Sequence, residues 1–354
     1  MAVRLIDVAR AANVSRSTAS NVFTNPERVR PQLRAQVEAA AKALGYAGPD
    51  PKGRLLRAGK VNAVGVVVPG QWGVADTLRS PVFVQFLQGV AKACDKAGAS
   101  IVLLPDAPGI SGVASAVVDG FIFGRIGQME QLQGARRRKL PFAVVDFNAG
   151  PEVNAVLIDA HAGAKAAVKH LLDLGHRRFG FISFIRGSGP THLIAPGPGR
   201  DLSKVGLQID QEKLRGAAEA LEEAGLSLDS MPILNAQPWD DSAAGLILDE
   251  APQVTAIFAF SAMQAIAVIR EAKQREIRVP ADLSVVGYND IPAAAQCNPP
   301  LTTLDSQPVE KGRIAAEFVL AGERGRQQYL APRFIVRQST GPAPLSTLRR
   351  TLRV

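Results

Sequence analysis

Apolar positions recur along the chain with two different periods. Up to Phe23 they are small or branched and fall at Ile6, Val8, Ala9, Val14, Ala19 and Val22. This spacing predicts two short helices, Leu5 to Ala12 and Ser15 to Phe23, crossing closely about a tight Ala12-Asn13-Val14 link. Ser15 stands where an N-cap is needed, its hydroxyl available to the free amides of the first turn. Pro31 suits the first turn of a third helix, Leu33, Val37, Ala40, Ala41 and Leu44 form its apolar stripe, and Gly45 terminates it. The second helix presents Arg16, Ser17, Ser20 and Asn21 outward, side chains that suit base edges and phosphates in a major groove. The expectation is an all-α, three-helix, helix-turn-helix head over residues 1-47.

From Val61 onward the pattern changes to short apolar strands alternating with amphipathic helices. Strands are expected at Ala63 to Val68, Ser100 to Leu104, Gly120 to Phe123, Phe142 to Asp146, Val156 to Ile158, Phe179 to Phe184, Pro232 to Leu234, Ala256 to Phe260 and Ser284 to Tyr288. Helices are expected at Phe83 to Ala97, Ala162 to Leu174, Gln211 to Ala224, Ala243 to Asp249 and Ala262 to Arg275. Strands buried on both faces and joined by helices imply doubly wound parallel sheets, with ligand sites at the carboxyl ends of the strands. The length favours an α/β body of two such lobes with a cleft between them. Between head and body, residues 48-60 are rich in Gly and Pro and then basic, which reads as a hinge linker with one short conditional helix.

Charge sharpens the division. The chain carries a net +9, yet residues 1–60 alone hold eleven Lys and Arg against four acids, a net +7. A basic head on a near-neutral body fits a phosphate-binding module attached to something with other work to do. Composition is that of a globular protein, 47% hydrophobic and 5% aromatic. The sequence has no run of 18 apolar residues to span a bilayer. With no apolar signal segment and two cysteines in no metal or disulfide spacing, the expected setting is a bacterial cytoplasm without membrane attachment.

Three blocks then resemble one family. The head sequences IDVARAANVSRSTASNVF and VRPQLRAQVEAAAKALGY, the segment GHRRFGFI, and VPADLSVVGYNDIP with PLTTLDSQ are similar to the LacI/GalR transcriptional regulators from about residue 4 to 340. The resemblance implies a homodimer whose heads bind a pseudo-palindromic double-stranded operator. It also implies a periplasmic-binding-protein-like body with a small-molecule effector, a sugar or sugar-like carbohydrate, in the cleft. Cleft closure would then control a DNA-binding regulator that acts as a repressor. The implied organisation is an N-lobe of residues 61-158 and 292-322, a C-lobe of 159-291 and 323-340, and a flexible basic tail, 341-354. Within the tail, Leu345, Leu348 and Leu352 have helical spacing, but two turns are too few for an independent coiled coil, so a tetramer rests on little.

For DNA the resemblance points to Arg16, Ser17 and Asn21 as base readers, flanked by Ser15, Thr18, Ser20, Arg28 and Arg30. Asn21 stands where the family usually has Arg; Asn suits adenine or a phosphate whereas Arg grips guanine, so an altered operator preference follows. In the linker, Gly53, Arg54, Leu56 and Arg57 match the segment that enters the minor groove, with Leu56 as the wedge. Gly53 replaces the usual Ala and costs about 1 kcal/mol in a helix interior, so this hinge folds less readily without DNA.

For the effector it points to Val82, Phe83, Asp146, Lys213, Trp239, Ser261 and Asn289. Lys213 stands in place of Arg, Ser261-Ala262 in place of Asn-Asp, and Asn289 in place of Asp. These changes remove the bidentate groups that grip polyols and weaken the sugar assignment. Arg200, in a Gly/Pro loop from Arg186 to Gly206 that could fold over the cleft, offers an anion contact, although that loop reads more simply as a disordered surface segment. No catalytic triad, cofactor or metal site is assembled by the sequence: Gly197-Pro198-Gly199 opens no helix, and His161, His170, His176 and His192 lack zinc spacing. His176 reads as a helix-end cap and Arg136-Arg137-Arg138-Lys139 as a solvated helix terminus. The alternative reading is a small-molecule binding or enzymatic body with a vestigial head.

Overall fold

In the head, the Thr18 amide donates to Ser15 Oγ at 3.0 Å, and the Ser17 and Thr18 hydroxyls lie 2.8 Å from that same oxygen. This cap starts α2 (Arg16–Thr24) after α1 (Leu5–Ala11), with Asn13 at φ 46° making the tight turn between them. A single 3₁₀ turn, Pro26–Arg28, leads into α3 (Pro31–Leu44), which Gly45 ends in the left-handed conformation at φ 67°. Val8, Ala9, Ala12, Ala19, Val22, Val37 and Ala41 form the core, closed at one side by the edge-to-face pair Phe23 and Tyr46 at 5.5 Å. Two positions of the expected stripe fall outside it: Ile6 is 40% exposed and Leu44 39%. The residues described by this computed structural model are 3–48, 60–69, 73–107, 110–124, 132–185, 189–203, 205–237, 240 and 242–345. The linker candidates Gly53, Arg54, Leu56 and Arg57, with Trp239, Leu348 and Leu352, lie outside them.

The body, from Asn62, forms one unit built on two sheets. The first half runs β1 (Ala63–Pro69), α4 (Gly73–Leu78), α5 (Pro81–Ala97), β2 (Ser100–Ala107), β3 (Ile110–Ser111), α6 (Gly112–Ser115), β4 (Gly120–Gly124), α7 (Gln133–Arg138), β5 (Phe142–Val145) and β6 (Asn154–Ile158). Then follow α8 (Ala160–Asp173), β7 (Phe179–Phe184), β8 (His192–Ile194), α9 (Gln208–Glu223), β9 (Ile233–Ala236), α10 (Ala243–Glu250), β10 (Ala256–Ala259), α11 (Ala262–Gln274), β11 (Ser284–Tyr288) and α12 (Pro292–Gln296). The last elements are β12 (Thr302–Asp305), α13 (Pro308–Leu320), β13 (Gln327–Leu330) and β14 (Arg333–Ile335). One sheet has the order β13-β6-β5-β4-β1-β2-β3 and the other β14-β12-β11-β10-β7-β9-β8. Neighbours are parallel except for the edge strands β3, β8 and β14.

The chain crosses between the sheets three times: after β6, after β12 and after β13. The first crossing lies between Ile158, the end of β6, and Ala160, the start of α8. The sequence division gave 292–322 to the N-lobe and 323–340 to the C-lobe, but β12 pairs in parallel with β11 in the second sheet and β13 with β6 in the first. Strand pairing decides here, because each of these four-residue strands completes an edge whose backbone groups would otherwise be unpaired.

Within the first lobe α13 lies against α5 at backbone contact. A Cβ on Gly89 would come 1.8 Å from the Val309 carbonyl oxygen, and one on Gly312 would come 2.1 Å from that of Phe86. No side chain fits either place. The contact seats Ile314, Ala315, Phe318 and Val319 in the core with Val64, Val90 and Ile122.

In the second lobe the expected cap His176 is instead wholly buried. Its Nε2–H donates to the Gly341 carbonyl at 3.1 Å, which leaves Nδ1 to accept from Thr255 Oγ1 at 2.9 Å. The capping role falls to Arg177, which donates to the Leu172 and His176 carbonyls at 3.0 and 2.8 Å. Burial holds His176 below its ordinary pKa of 6.5. The loop before α9 is likewise ordered where described: β8 pairs with β9. Arg138, the last residue of α7, departs from a solvated terminus by donating to the Val113 and Ala116 carbonyls at 2.9 and 2.6 Å.

Two outcomes follow. Gly312→Ala should lower stability by about 3 kcal/mol, read as a lower urea midpoint with unchanged slope. Because folded His176 is held neutral, it binds fewer protons than the unfolded chain, so its contribution is full above pH 6.5 and is lost as pH falls below that value. The urea midpoint should therefore drop toward about pH 5, and His176→Gln should flatten that acid limb.

Candidate functional site

Two surfaces carry the candidate chemistry, one in each unit. On the head, α2 exposes Arg16 and Ser17 and leaves Thr18, Ser20 and Asn21 half-buried, while Arg28 and Arg30 are exposed beyond it. Part of this polar equipment is committed to the fold, since Ser15 is the cap; the Thr24 hydroxyl donates to the Ser20 backbone carbonyl at 2.9 Å, a bond that does not involve the Ser20 side chain. Arg16 has a free path to solvent from the first turn of the helix.

In the body, six of the eight sequence-expected effector residues converge. Val82, Phe83, Asp146, Lys213, Ser261 and Asn289 all line one cavity of about 150 Å³ between the two sheets. They arrive there because it sits at the carboxyl ends of the strands, where β5, β10 and β11 release Asp146, Ser261 and Asn289, and where α5, α9, α11 and α13 begin. Asp146 and Asn289 take left-handed φ values of 57° and 75°, a conformation that short polar side chains tolerate best and that here ends each strand abruptly at the cavity.

Arg200 does not join them. It binds the Ile194 and Ala195 carbonyls at 3.3 Å each and that of Leu228, with Asp229 at 3.7 Å, and so ties its own loop to the turn at Leu228–Ser230.

The charges of the cavity are paired within the protein. Lys311 of α13 donates to Asp146 Oδ2 at 2.6 Å, and Lys213 donates to Asp210 Oδ1 at 3.0 Å. The Lys213 ammonium also sits 4.0 Å from the centre of the Tyr288 ring and 5.2 Å from that of Phe260. Both lysines are buried, at 3 and 4% exposure. Asn289 accepts from Ser306 Oγ through Oδ1. The lobes also meet directly around the cleft: Gln85 Nε2 donates to the Asp290 carbonyl at 3.2 Å, and the Asn148 amide to Gln208 Oε1 at 2.9 Å.

Two polar atoms of this lining are buried without a partner, Asp146 Oδ1 and the Tyr288 hydroxyl. Burial, with the Asp146 and Asp210 carboxylates next in weight, pushes the Tyr288 phenol well above its ordinary range, so it remains a neutral donor.

Sequence reasoning missed Asp210, Tyr288, Ser306 and Lys311. A signal existed for two of them. Lys311 falls on the same helical face as the buried Ala315 and Phe318, and Asp210 on that of Leu214, Ala217 and Leu221. A charge in an apolar stripe indicates a buried partner.

No group of His, Cys, Asp and Glu able to hold a metal occurs among the described residues, and none of their helices is long and apolar enough to cross a membrane. Residues 4–48 match the model for bacterial regulatory proteins of the lacI family, and residues 168–340 that for a periplasmic binding protein-like domain. The HTH-type transcriptional regulator Rv3575c of Mycobacterium tuberculosis is 31% identical over 334 residues, covering 90% of this chain and 91% of its own. The HTH-type transcriptional repressor CytR of Escherichia coli is 28% identical over 362 residues, 97% of this chain and 98% of its own. Among solved structures, the CelR–cellobiose complex has a TM-score of 0.64 at 26% identity, covering 95% of this chain and 99% of its own. The lac repressor dimer bound to operator and ONPF reaches 0.74 at 23% identity, covering 96% and 100%, and shows likeness of fold.

Removing one partner of a buried ion pair strands the other, so Lys311→Met should destabilise the body by about 3–5 kcal/mol, and the double change with Asp146→Leu should restore most of that loss. Thermal unfolding of the two variants reads the difference. Ser15→Ala should cost the head about 1 kcal/mol by the same measurement.

Proposed function

Because the chain belongs to the LacI family of bacterial regulatory proteins, we propose that it is an operator-binding repressor controlled by a small hydroxylated molecule held between its two lobes. The observation that carries this reading is the convergence of Val82, Phe83, Asp146, Lys213, Ser261 and Asn289 on one cleft, in a chain that also carries a capped helix-turn-helix. In this reading a homodimer places two heads on a pseudo-palindromic site. Arg16, Ser17 and Asn21 contact base edges. Thr18, Ser20, Arg28 and Arg30 contact phosphates and fix the register. Ser15 acts through the helix start rather than by touching DNA.

The effector acts by linkage. It must bind one state of the body better than another, and a coupling of about 1–3 kcal/mol changes operator affinity roughly 5 to 150-fold. Relatives support this arrangement: CytR is described as a repressor, and CelR was solved with cellobiose.

Selection of bound sequences from randomised duplexes, followed by anisotropy titration of the winner at several salt concentrations, tests the reading. A palindrome-like site should emerge, with binding that weakens steeply as salt rises. Arg16→Ala should cost about 1–3 kcal/mol on that site, and Asn21→Ala should change the preferred base. An absence of sequence preference at every salt concentration would refute it.

A further inference from the structure

The first lobe carries a cluster of cations that neither its fold nor the cleft uses. It lies at the end of the sheet opposite the cleft, where the strands begin. Arg136 and Arg137 lie in the last turn of α7, Lys139 follows it in the left-handed conformation at φ 56°, and all three are exposed. Arg324, 185 residues further along and also exposed, joins them by donating from Nη2 to the Lys139 carbonyl at 3.4 Å.

Elsewhere, surface cations are paired on their own helix or turn, as Arg34 is with Glu38, Lys169 with Asp173 and Arg278 with Asp282. Arg136, Arg137, Lys139 and Arg324 form no ion pair with a described residue. Three acids lie near them. Glu323 faces Arg326 at 3.7 Å, Asp119 accepts from the Ala63 amide at 3.2 Å, and Glu152 stands beside Gly325. A helix end uses a cation to bind free carbonyls, but Arg138 already does that for Val113 and Ala116. The remaining three cations of this run are surplus to it.

The lobes differ in charge to match. Residues 61–158 and 306–331, which build the first, hold twelve Lys and Arg against ten acids, whereas 159–305 and 332–345 hold fifteen against eighteen. A polyanion is therefore drawn to the first lobe and repelled by the second. The cluster also lies beside the point where the chain enters the body. The Phe121 amide of β4 donates to the Pro141 carbonyl at 3.0 Å, and Asp119, just before β4, bonds Ala63 at the start of β1. The order β5-β4-β1 thus puts Pro141 two strands from Ala63, about 10 Å. The chain on the far side of Ala63 is the basic head and linker, residues 1–60, with their net +7.

We infer that this corner of the first lobe is a second DNA contact, in which Arg136, Arg137, Lys139 and Arg324 take backbone phosphates beyond the stretch read by the helix-turn-helix. The inference rests on the operator-binding reading and adds to it a contact that carries no sequence information. Guanidinium groups suit it, since each can present two parallel N–H donors to one phosphate.

Anisotropy titration of the full-length protein tests this with two duplexes, the selected site alone and the same site extended by about ten base pairs, one helical turn, on each side. Combining Arg136→Gln, Arg137→Gln and Arg324→Gln removes three exposed charges and should leave the unfolding midpoint unchanged. A control variant, Lys169→Gln with Arg215→Gln and Arg278→Gln, removes the same charge from the second lobe. On the extended duplex the first variant should show a slope of log affinity against log salt shallower by about three, with at least about tenfold weaker binding at low salt and the same preferred sequence. On the short duplex, and in the control on either, the slope should stay that of the unaltered protein.

An unaltered slope on the extended duplex would overturn the inference and leave the corner to an acidic protein surface. An equal loss on the short duplex or in the control would overturn it as well. A protein with no sequence preference would refute the operator reading alone: on an extended duplex of random sequence, a shallower slope in the first variant than in the control would still leave this corner as a phosphate contact.

Discussion

The depth at which α13 seats against α5 governs the site. Two glycines, Gly89 and Gly312, bring the helix backbones into direct contact, and Lys311 is the neighbour of one of them. Were α13 held off by a side chain at either place, Lys311 would withdraw from Asp146 and leave a carboxylate buried without compensation. The second lobe repeats the device, since a Cβ on Gly216 would lie 2.1 Å from the His161 carbonyl oxygen, which seats α9 on α8. Lys213 and Asp210 sit on that same helix. In the first lobe helix seating and charge pairing are therefore one constraint, whereas in the second the pair Lys213–Asp210 lies within a single helix, three residues apart.

That pairing changes what the familiar positions mean. Six residues suggested by resemblance do reach one cavity, yet Lys213 pairs with Asp210, and Asn289 is taken up by Ser306. Position is preserved while chemistry is redirected inward. The charged side chains of the lining are therefore held by their own neighbours in the protein, Lys311 by Asp146 and Lys213 by Asp210.

What the sequence disclosed tracks how local each signal is. The head was legible almost residue by residue, because Ser15, Asn13 and Gly45 act within one turn of themselves. Strands such as Phe179–Phe184 and Ser284–Tyr288 were read to the residue, since full burial leaves an uninterrupted apolar run. The lobe to which Thr302–Asp305 and Gln327–Leu330 belong was misassigned, because it depends on pairing with strands far away in the chain. Arg200 and His176 failed for the same reason. A guanidinium bound to its own loop's carbonyls and an imidazole shared by Thr255 and Gly341 look, in one dimension, like any exposed Arg and His. Lys311 was the most readable omission: a lone cation on a buried helical face asks for a partner, and only the fold reveals that Asp146 is the one.

The three crossings between lobes are neighbours in space as well. Ile158 pairs with Leu330, and Asp305 with Arg333, so the connecting strands leave the sheets side by side. Three adjoining tethers resist sliding, twisting and separation, and leave bending about the line that joins them as the soft motion. A body joined in this way has, to first approximation, one mechanical coordinate. Anything held between the lobes would act on that single angle, and two unlike molecules that held the same angle would have the same mechanical effect.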